Sequence, residues 1–323
     1  MSDSLSYRAL IDSDAAAYAA LTNAIADAGD NDRREDEAAF RRYLSNPLAS
    51  PEFEDFQGVF DGDRLVATAG VMRRAEADPV HWMVSAGGVH PDYQGRGIGT
   101  RLVRWQLDCA RRIHEHYFPG HPLELGARVT EGNTAARDLL ANEGYELVRW
   151  FFSMRRPAEA PLPEVSPPPG LELEPYTDAV REELHRAHEE AFREHWHHVP
   201  MSSEEWATFL SLDAARPDLS FLLRDPANGE IAGFIVSGFH EPVFKATGVR
   251  DLHFSIIGTQ QAYRGRGIAS ALIAHALREG RELGFEGATL GVDAENPTGA
   301  LGVYERNGFA CERKLAMYAR RFG

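Results

Sequence analysis

The chain of 323 residues contains little cysteine and almost no lysine. Its two cysteines, Cys109 and Cys311, lie in stretches with the patterns of a helix and a strand, so buried free thiols are favoured over a disulfide. Lys245 and Lys314 are the only lysines, and arginine replaces lysine everywhere else. Together with abundant alanine and glycine, this usage indicates a bacterial genome rich in G and C.

Long hydrophobic runs are absent as well. No stretch approaches the ~20 apolar residues that a membrane-spanning helix requires. The opening residues, Met-Ser-Asp-Ser, have neither the basic nor the apolar segment of a secretory signal. We therefore expect a cytoplasmic protein with no membrane partner.

The sequence also lacks the positive charge that a nucleic-acid partner requires. Its formal net charge is −15 at pH 7, whereas proteins that bind DNA or RNA present a basic surface to the phosphates. An acidic cleft can enrich a cationic small molecule such as an amine, although solubility is the simpler explanation of the charge.

Two glycine-rich segments, residues 89–99 and 259–269, repeat nearly the same pattern. Each follows an apolar strand-like run and precedes a stretch of helical apolar period. The spacing is a polar residue, a glycine three positions later and a small residue two positions after that: Gln94, Gly97 and Gly99 in the first, Arg264, Gly267 and Ala269 in the second. A glycine turn at a helix N-terminus gathers free backbone N–H groups at the positive end of the helix dipole. We therefore predict two diphosphate sites and call them the N-terminal cradle and the C-terminal cradle.

A proline-rich stretch divides the chain, because it fits neither a helix nor a central strand and is typical of an extended linker. The landmarks on its two sides repeat: Gly97 and Gly267 are 170 positions apart, and the hairpin-turn glycines Gly62 and Gly229 are 167 apart. Each half has the pattern of a strand, two helices, a two-stranded hairpin, a fourth strand, the cradle helix, a fifth strand, a short helix and a last strand. We predict an N-terminal domain of residues 1–156, a linker of residues 157–170 and a C-terminal domain of residues 171–323.

A second repeated motif follows each cradle helix. An asparagine, Asn133 or Asn296, opens a short helical stretch that ends in glycine and an aromatic residue, Tyr145 or Phe309. Together with the cradles, this motif resembles the GCN5-related N-acetyltransferase (GNAT) superfamily, over nearly the whole chain and as a tandem pair. The resemblance implies an α/β fold class with two tandem domains. Each domain has a mixed, largely antiparallel sheet flanked by helices, and its fourth and fifth strands splay apart to admit CoA.

The resemblance also implies acetyl transfer from acetyl-CoA to a primary amine of a small molecule. The cradle N–H groups would hold the diphosphate, and a backbone N–H of the fourth strand would polarise the thioester carbonyl. The predicted acetyl-CoA-binding residues of the C-terminal half are Ile257, Gly258, Thr259, Arg264, Gly265, Arg266, Gly267, Ile268, Ala269, Ser270 and Asn296. Those of the N-terminal half are Val89, Gln94, Gly95, Arg96, Gly97, Ile98, Gly99, Thr100 and Asn133.

Tyr304 is the predicted general acid. It lies four residues before the closing glycine, where this family commonly has a tyrosine that protonates the departing CoA thiolate. The equivalent residue in the N-terminal half is Leu140, which has no hydroxyl, and the alternative donors Tyr145 and Tyr93 do not occupy the matching position. We therefore predict an active C-terminal domain and a catalytically degenerate N-terminal domain.

Three residues on or beside the fourth strand are candidates for the general base: His253, Asp251 and Glu241. His253 is the predicted base, because its ordinary pKa lies nearest to neutral pH and it shares a strand face with Asp251. Two alternatives remain open. His253 could be a strand histidine bonded to a neighbour, or the proton could leave the amine through a water.

A histidine-rich region precedes Pro200. Its histidines are His185, His188, His195, His197 and His198. Histidine and the adjacent Glu189 are zinc-ligand types, but the spacing does not match a zinc motif, so no metal is predicted. We expect Phe192, Trp196 and Trp206 of this region to line the acceptor cleft or to pack in the core.

The sequence does not specify the amine acceptor or the oligomeric state. The acceptors considered are an aminoglycoside, a polyamine, an amino acid and a cysteinyl amine; a protein amine is less favoured. A non-catalytic acetyl-CoA-binding sensor or scaffold is the alternative from a different class. Tyr304 argues against that alternative for the C-terminal half.

Overall fold

The computed structural model describes residues 5–29, 34–77, 79–211, 214–296 and 298–322. The chain forms two compact units: unit 1 is Met1–Trp150 with Lys314–Gly323, and unit 2 is Phe151–Arg313. Each unit has the predicted mixed α/β fold. Among the described helices, none has both the length and the apolar character needed to cross a membrane.

The first repeat follows the predicted order of elements. They are β1 (Ser6–Ala9), α1 (Ala15–Asp27), α2 (Glu37–Leu44), β2 (Phe56–Asp61), β3 (Arg64–Met72), β4 (His81–Val89), α3 (Ile98–Tyr117), β5 (Leu123–Thr130), α4 (Thr134–Asn142) and β6 (Glu146–Arg156). In unit 1, β1 to β5 pair in sequence order, with β4 and β5 parallel and the other pairs antiparallel. The cradle helix α3 buries the predicted apolar stripe, including Leu102, Cys109 and Ile113, against this sheet.

The second repeat has the same order with one addition. Its elements are β7 (Glu172–Pro175), α5 (Arg181–Phe192), α6 (Ser203–Leu210), β8 (Phe221–Arg224), β9 (Ile231–Gly238), α7 (Glu241–Thr247), β10 (Asp251–Thr259), α8 (Ile268–Glu282), β11 (Gly287–Asp293), α9 (Ala300–Arg306) and β12 (Ala310–Phe322). In unit 2, β7 to β11 pair in sequence order, and only β10 and β11 are parallel among these pairs. The helix α7 is the addition, and it was not predicted from the sequence.

Two layers of helices cover the sheet of unit 2. The cradle helix α8 packs on one face through Leu272, Ile273 and Leu277. On the other face, the fully buried Trp206 of α6 packs with Phe234 of β9 and with residues of α5. The core of this unit therefore lies on both sides of the strands that carry the candidate site.

The last strand of each repeat pairs with the sheet that the other repeat forms. Leu315–Phe322 of β12 pair antiparallel with β5 in unit 1, and Phe151–Arg156 of β6 pair antiparallel with β11 in unit 2. The units therefore differ from the predicted domains, residues 1–156 and 171–323. Both repeats end in the same pattern of short helix and strand, so a local pattern does not tell which sheet the strand joins.

The proline-rich segment 157–170 is part of unit 2 and packs against its core. Leu162 and Val165 contact its core. Arginine side chains hold the backbone of the segment: Arg281 donates to the Ala158 carbonyl at 2.9 Å, and Arg156 donates to the Ala160 carbonyl at 3.0 Å. The segment forms neither a helix nor a strand, and these contacts bind it along its path.

Candidate active site

A wedge-shaped opening lies between β10 and β11 of unit 2. The two strands pair from Asp251↔Gly287 to Phe254↔Leu290, yet they continue to Thr259 and Asp293. Unit 1 has the same opening, because β4 and β5 pair only as far as Ser85↔Ala127. This is the splayed arrangement that was expected for a CoA arm.

Each cradle lies at the end of such an opening and has the predicted local geometry. In unit 2, Gly265 and Gly267 have φ of 76° and 83°, a left-handed conformation that favours glycine. Gly267 is the N-cap of α8 and has no side chain to cap it, so the first N–H groups of the helix, from Ile268 to Ser270, are available to an anion. The N-terminal cradle repeats this geometry with Gly97 before α3.

A tyrosine anchors each cradle to the hairpin of its own unit. In unit 1 the Tyr93 hydroxyl donates to Asp61 at 2.6 Å. In unit 2 the Tyr263 hydroxyl donates to Asp225 at 3.0 Å and accepts from Asn228 at 3.0 Å. This role was not predicted from the sequence, although the tyrosine recurs at the same place in both repeats. Tyr93, considered there as an alternative acid, is thus an anchor whose pKa the Asp61 hydrogen bond raises.

The cradle arginines also have local partners. The Arg266 guanidinium lies 5.4 Å from the centre of the Tyr263 ring, and Arg96 lies 4.6 Å from the Tyr93 ring. Arg264 is 3.7 Å from the Glu194 carboxylate. Arg266 and Arg96 therefore add positive charge next to the glycine turns, while Arg264 is shared with the end of α5.

The two predicted asparagines behave differently. Asn133 caps α4, because its side-chain oxygen accepts from the Ala136 N–H at 3.0 Å. Asn296 instead accepts from the Thr298 N–H at 2.9 Å, and its amide nitrogen lies 3.2 Å from Nε2 of His195. The prediction that Asn296 opens the helix was wrong, because α9 begins at Ala300 after Gly299.

Tyr304 lies on α9 with its ring buried beside Phe309. Burial raises the pKa of Tyr304 to about 12, so the phenol is protonated and can donate at neutral pH. Within the described residues its hydroxyl has no hydrogen-bond partner. In unit 1 the corresponding Leu140 is buried in the core, and burial raises the pKa of the neighbouring Tyr145 well above its ordinary value. Tyr145 is thus a core residue.

The three base candidates have different environments. His253 lies on β10, its Nδ1 is 3.0 Å from the Thr289 hydroxyl, and burial together with the neighbouring His240 lowers its pKa to about 3. Asp251 is bound by Arg155 at 2.5 Å. Glu241 lies outside β10 on α7 and pairs with Lys245 at 2.9 Å. Burial makes His253 a weak base, and the carboxylates of Asp251 and Glu241 are each engaged by a cationic side chain.

A β-bulge interrupts β10. The pairing with β9 shifts between Phe254 and Ile256, which leaves Ser255 as the extra, exposed residue. A bulge releases backbone groups from the ladder and redirects them. In unit 1, β3 and β4 pair in unbroken register from Ala67↔Val89 to Met72↔Val84. No sequence signal announced the bulge, and the predicted stretch Ile257–Thr259 lies just after it.

The histidine-rich region forms a hydrogen-bonded cluster around Glu189. The Glu189 carboxylate lies 3.1 Å from His188 Nδ1 and 3.0 Å from His198 Nε2, and it accepts from the Met201 N–H at 3.3 Å. His188 also stacks on the ring of Trp206. The cluster therefore ties α5 to the chain that follows it, and no group of three ligands suited to a metal occurs among the described residues.

The comparisons with known proteins agree with this geometry. The model of the acetyltransferase (GNAT) family matches residues 19–145 and 180–309. A mycothiol acetyltransferase of Pseudarthrobacter chlorophenolicus is 30% identical over 223 residues, covering 68% of this chain and 65% of that relative's length. A mycothiol acetyltransferase of Thermobispora bispora is 29% identical over 280 residues, covering 86% and 87% of the two chains.

A solved structure extends the likeness to the whole fold. The crystal structure of a GCN5-related N-acetyltransferase from Sphaerobacter thermophilus superposes with a TM-score of 0.79 at 25% identity and covers 99% of this chain and 96% of that one. The two family regions coincide with the two cradle-bearing repeats. The chain belongs to the acetyltransferase (GNAT) family, as a tandem of two family regions.

Proposed function

We propose that this protein transfers an acetyl group from acetyl-CoA to a primary amine of a small molecule, and that unit 2 is the catalytic unit. One observation carries the proposal. Among the described residues, unit 2 combines a glycine cradle, a bulged fourth strand and a protonated tyrosine on the closing helix. Unit 1 has the cradle but has an unbroken fourth strand and a leucine at the tyrosine position.

The parts of unit 2 fit the successive needs of acetyl transfer. The N–H groups of Ile268 to Ser270 would hold the diphosphate at the positive end of α8. A backbone N–H released near Ser255 would donate to the thioester oxygen, which becomes negative as the amine attacks. Tyr304 would donate its proton to the sulfur as the C–S bond breaks, so that CoA leaves as the thiol.

For the amine, we propose that a water accepts the proton and that His253 orients this water. A pKa of about 3 makes full protonation of His253 unfavourable near pH 7. A neutral imidazole held by Thr289 at Nδ1 still offers Nε2 as a hydrogen-bond partner. His253 thereby keeps a role in deprotonation without being the final acceptor of the proton.

For unit 1 we propose acetyl-CoA binding without turnover. The N-terminal cradle keeps Gln94, Gly97 and Gly99 in the binding geometry. Arg96 stays beside the glycine turn. The alternative function of a non-catalytic binding module thus applies to unit 1, because Leu140 offers no proton donor.

The first acceptor that we propose is the cysteinyl amine of a mycothiol precursor, because the relatives described above are mycothiol acetyltransferases. Aminoglycosides, polyamines and amino acids are the alternatives. The deciding experiment is a screen of these amines with purified protein and acetyl-CoA, following thiol release and identifying the acetylated product by mass spectrometry. No release of CoA above background with any amine of the panel would leave only the sensor or scaffold function.

A further inference from the structure

The helix that carries Tyr304 is too short to be stable by itself. The helix α9 spans seven residues, Ala300–Arg306, whereas isolated helices shorter than about 12 residues are marginal in water. Its position, and therefore that of the Tyr304 phenol, depends on contacts at its ends. Side-chain hydrogen bonds hold its C-terminus.

Arg156 binds this C-terminus from the exchanged strand. Its Nε donates to the Asn307 carbonyl at 3.0 Å, and its Nη2 donates to the carbonyls of Ala160 and Pro161 at 3.0 and 2.5 Å. The side chain is only 2% exposed. A guanidinium at a helix C-terminus is favoured by the negative end of the dipole, and its planar fork can serve several carbonyls that an ammonium group could not serve in the same geometry.

The contact leads directly to Tyr304. The N–H of Asn307, the residue whose carbonyl Arg156 binds, donates to the Tyr304 carbonyl at 3.0 Å. The Phe309 N–H donates to the same carbonyl at 3.1 Å. On its other side, the Asn307 side chain donates to Ser270 of the cradle helix at 2.9 Å. Arg156 and Ser270 thus hold the end of α9 from two directions.

A similar arrangement occurs in unit 1. Arg320, on the exchanged strand of unit 1, donates to the Gly144 carbonyl at the end of α4 at 2.9 Å. Arg156 and Arg320 are 164 positions apart, as are Gly144 and Gly308, which end the two helices. A similar contact, one residue further along the chain, therefore holds the end of the helix that carries Leu140 in unit 1.

We propose that Arg156 is a positioning residue for catalysis: it acts through α9 to place the Tyr304 hydroxyl, so the N-terminal repeat supplies part of the catalytic unit. This inference rests on the proposed function, in which Tyr304 is the acid. It also gives the degenerate repeat a role in the reaction, since residues 151–156 belong to that repeat in sequence and to unit 2 in the fold.

The test is a double-mutant cycle of Arg156→Lys and Tyr304→Phe. Arg156→Lys should lower kcat about tenfold and leave the KM for acetyl-CoA within twofold, because the cradle is unchanged. In the Tyr304→Phe background the same substitution should cost less than twofold. Hydrogen exchange of the α9 amides should be faster in Arg156→Lys, a readout that does not depend on activity.

Arg320→Lys is the matched control, and it should leave kcat within twofold. Asn307→Ala loosens α9 at its other contact and should show the same loss in kcat alone, which keeps the proposal testable if Arg156→Lys does not fold. Equal losses from Arg156→Lys with and without the Tyr304 hydroxyl would overturn the proposal. If Tyr304→Phe itself leaves kcat unchanged, the assignment of the acid fails instead, so the two failures are distinguishable.

Discussion

Replacement of Tyr304 by phenylalanine should lower kcat about 100-fold. The pKa of the buried phenol is about 12, whereas that of a thiol is about 8.5. Complete transfer of the proton to the thiolate would therefore be uphill by about 3.5 pKa units, or about 5 kcal/mol at 1.36 kcal/mol per unit. The main loss is then the hydrogen bond to the developing thiolate, which contributes about 1.5–3 kcal/mol, or about 10- to 150-fold in rate.

The assay is the initial rate of thiol release at saturating acceptor, over a range of acetyl-CoA concentrations. The KM for acetyl-CoA should change little, because the ring remains and the lost interaction forms only in the transition state. The phenol must be protonated to act, and its raised pKa keeps it so throughout the neutral range. The pH profiles of wild type and Tyr304→Phe should therefore be parallel up to about pH 10.

Tyr145→Phe is the matched control, because it removes a hydroxyl from a buried ring of unit 1. It should leave kcat within twofold of wild type. The thermal midpoint of Tyr304→Phe should not fall, since the hydroxyl has no partner among the described residues. If kcat of Tyr304→Phe stays within twofold of wild type, Tyr304 is a core aromatic and the reasoning about the active unit is refuted.

Three further outcomes follow from the structure. Gly267→Glu would place a carboxylate at a left-handed turn beside the first N–H groups of α8, so calorimetry should show loss of one CoA site. The control Gly97→Glu should leave turnover intact. Unchanged CoA affinity in Gly267→Glu would contradict the cradle assignment. Tyr263→Phe breaks the anchor to the hairpin and should raise the KM for acetyl-CoA severalfold at constant kcat. The control Tyr93→Phe should not raise this KM. An effect of Tyr263→Phe on kcat alone would argue against an anchoring role. Burial lowers the pKa of His81 to about 4, below the ordinary 6.5. As the pH falls, this histidine therefore takes up a proton in the unfolded chain before it does so in the folded chain. The free energy of unfolding should decrease by about 2–3 kcal/mol between pH 7 and pH 4.5. Urea unfolding at the two pH values should show a smaller loss for His81→Gln, and equal losses would exclude this histidine as the cause.

The backbone geometry of the cradle was predictable because it is local. A glycine with positive φ, a helix that starts at the next residue and an apolar stripe of helical period are all written in consecutive residues, and the cradle at Gly267 and the buried face of α8 lie where the pattern placed them. The position of Tyr304 relative to the closing glycine is local in the same sense. The sheet order of each repeat followed from the family resemblance.

The parts that were missed depend on contacts between distant residues. The bulge at Ser255 is a property of how β10 pairs with β9, and neither strand announces it alone. The exchange of the last strands depends on which of two similar sheets each strand joins. The pKa of His253 depends on burial and on His240, and the residue type alone does not reveal either effect.

In the proposed function, the tandem repeat separates binding from chemistry within one chain. Features that both units share, the splayed strands, the glycine turn and the anchoring tyrosine, concern the site for the diphosphate arm. Features that distinguish unit 2, the bulge at Ser255 and the phenol of Tyr304, are those to which we assign the carbonyl oxygen and the sulfur in the proposed acyl transfer. If acyl-CoA binding alone were the function of both units, no physical reason would require this difference. The division therefore favours an enzyme whose first unit binds and whose second unit reacts.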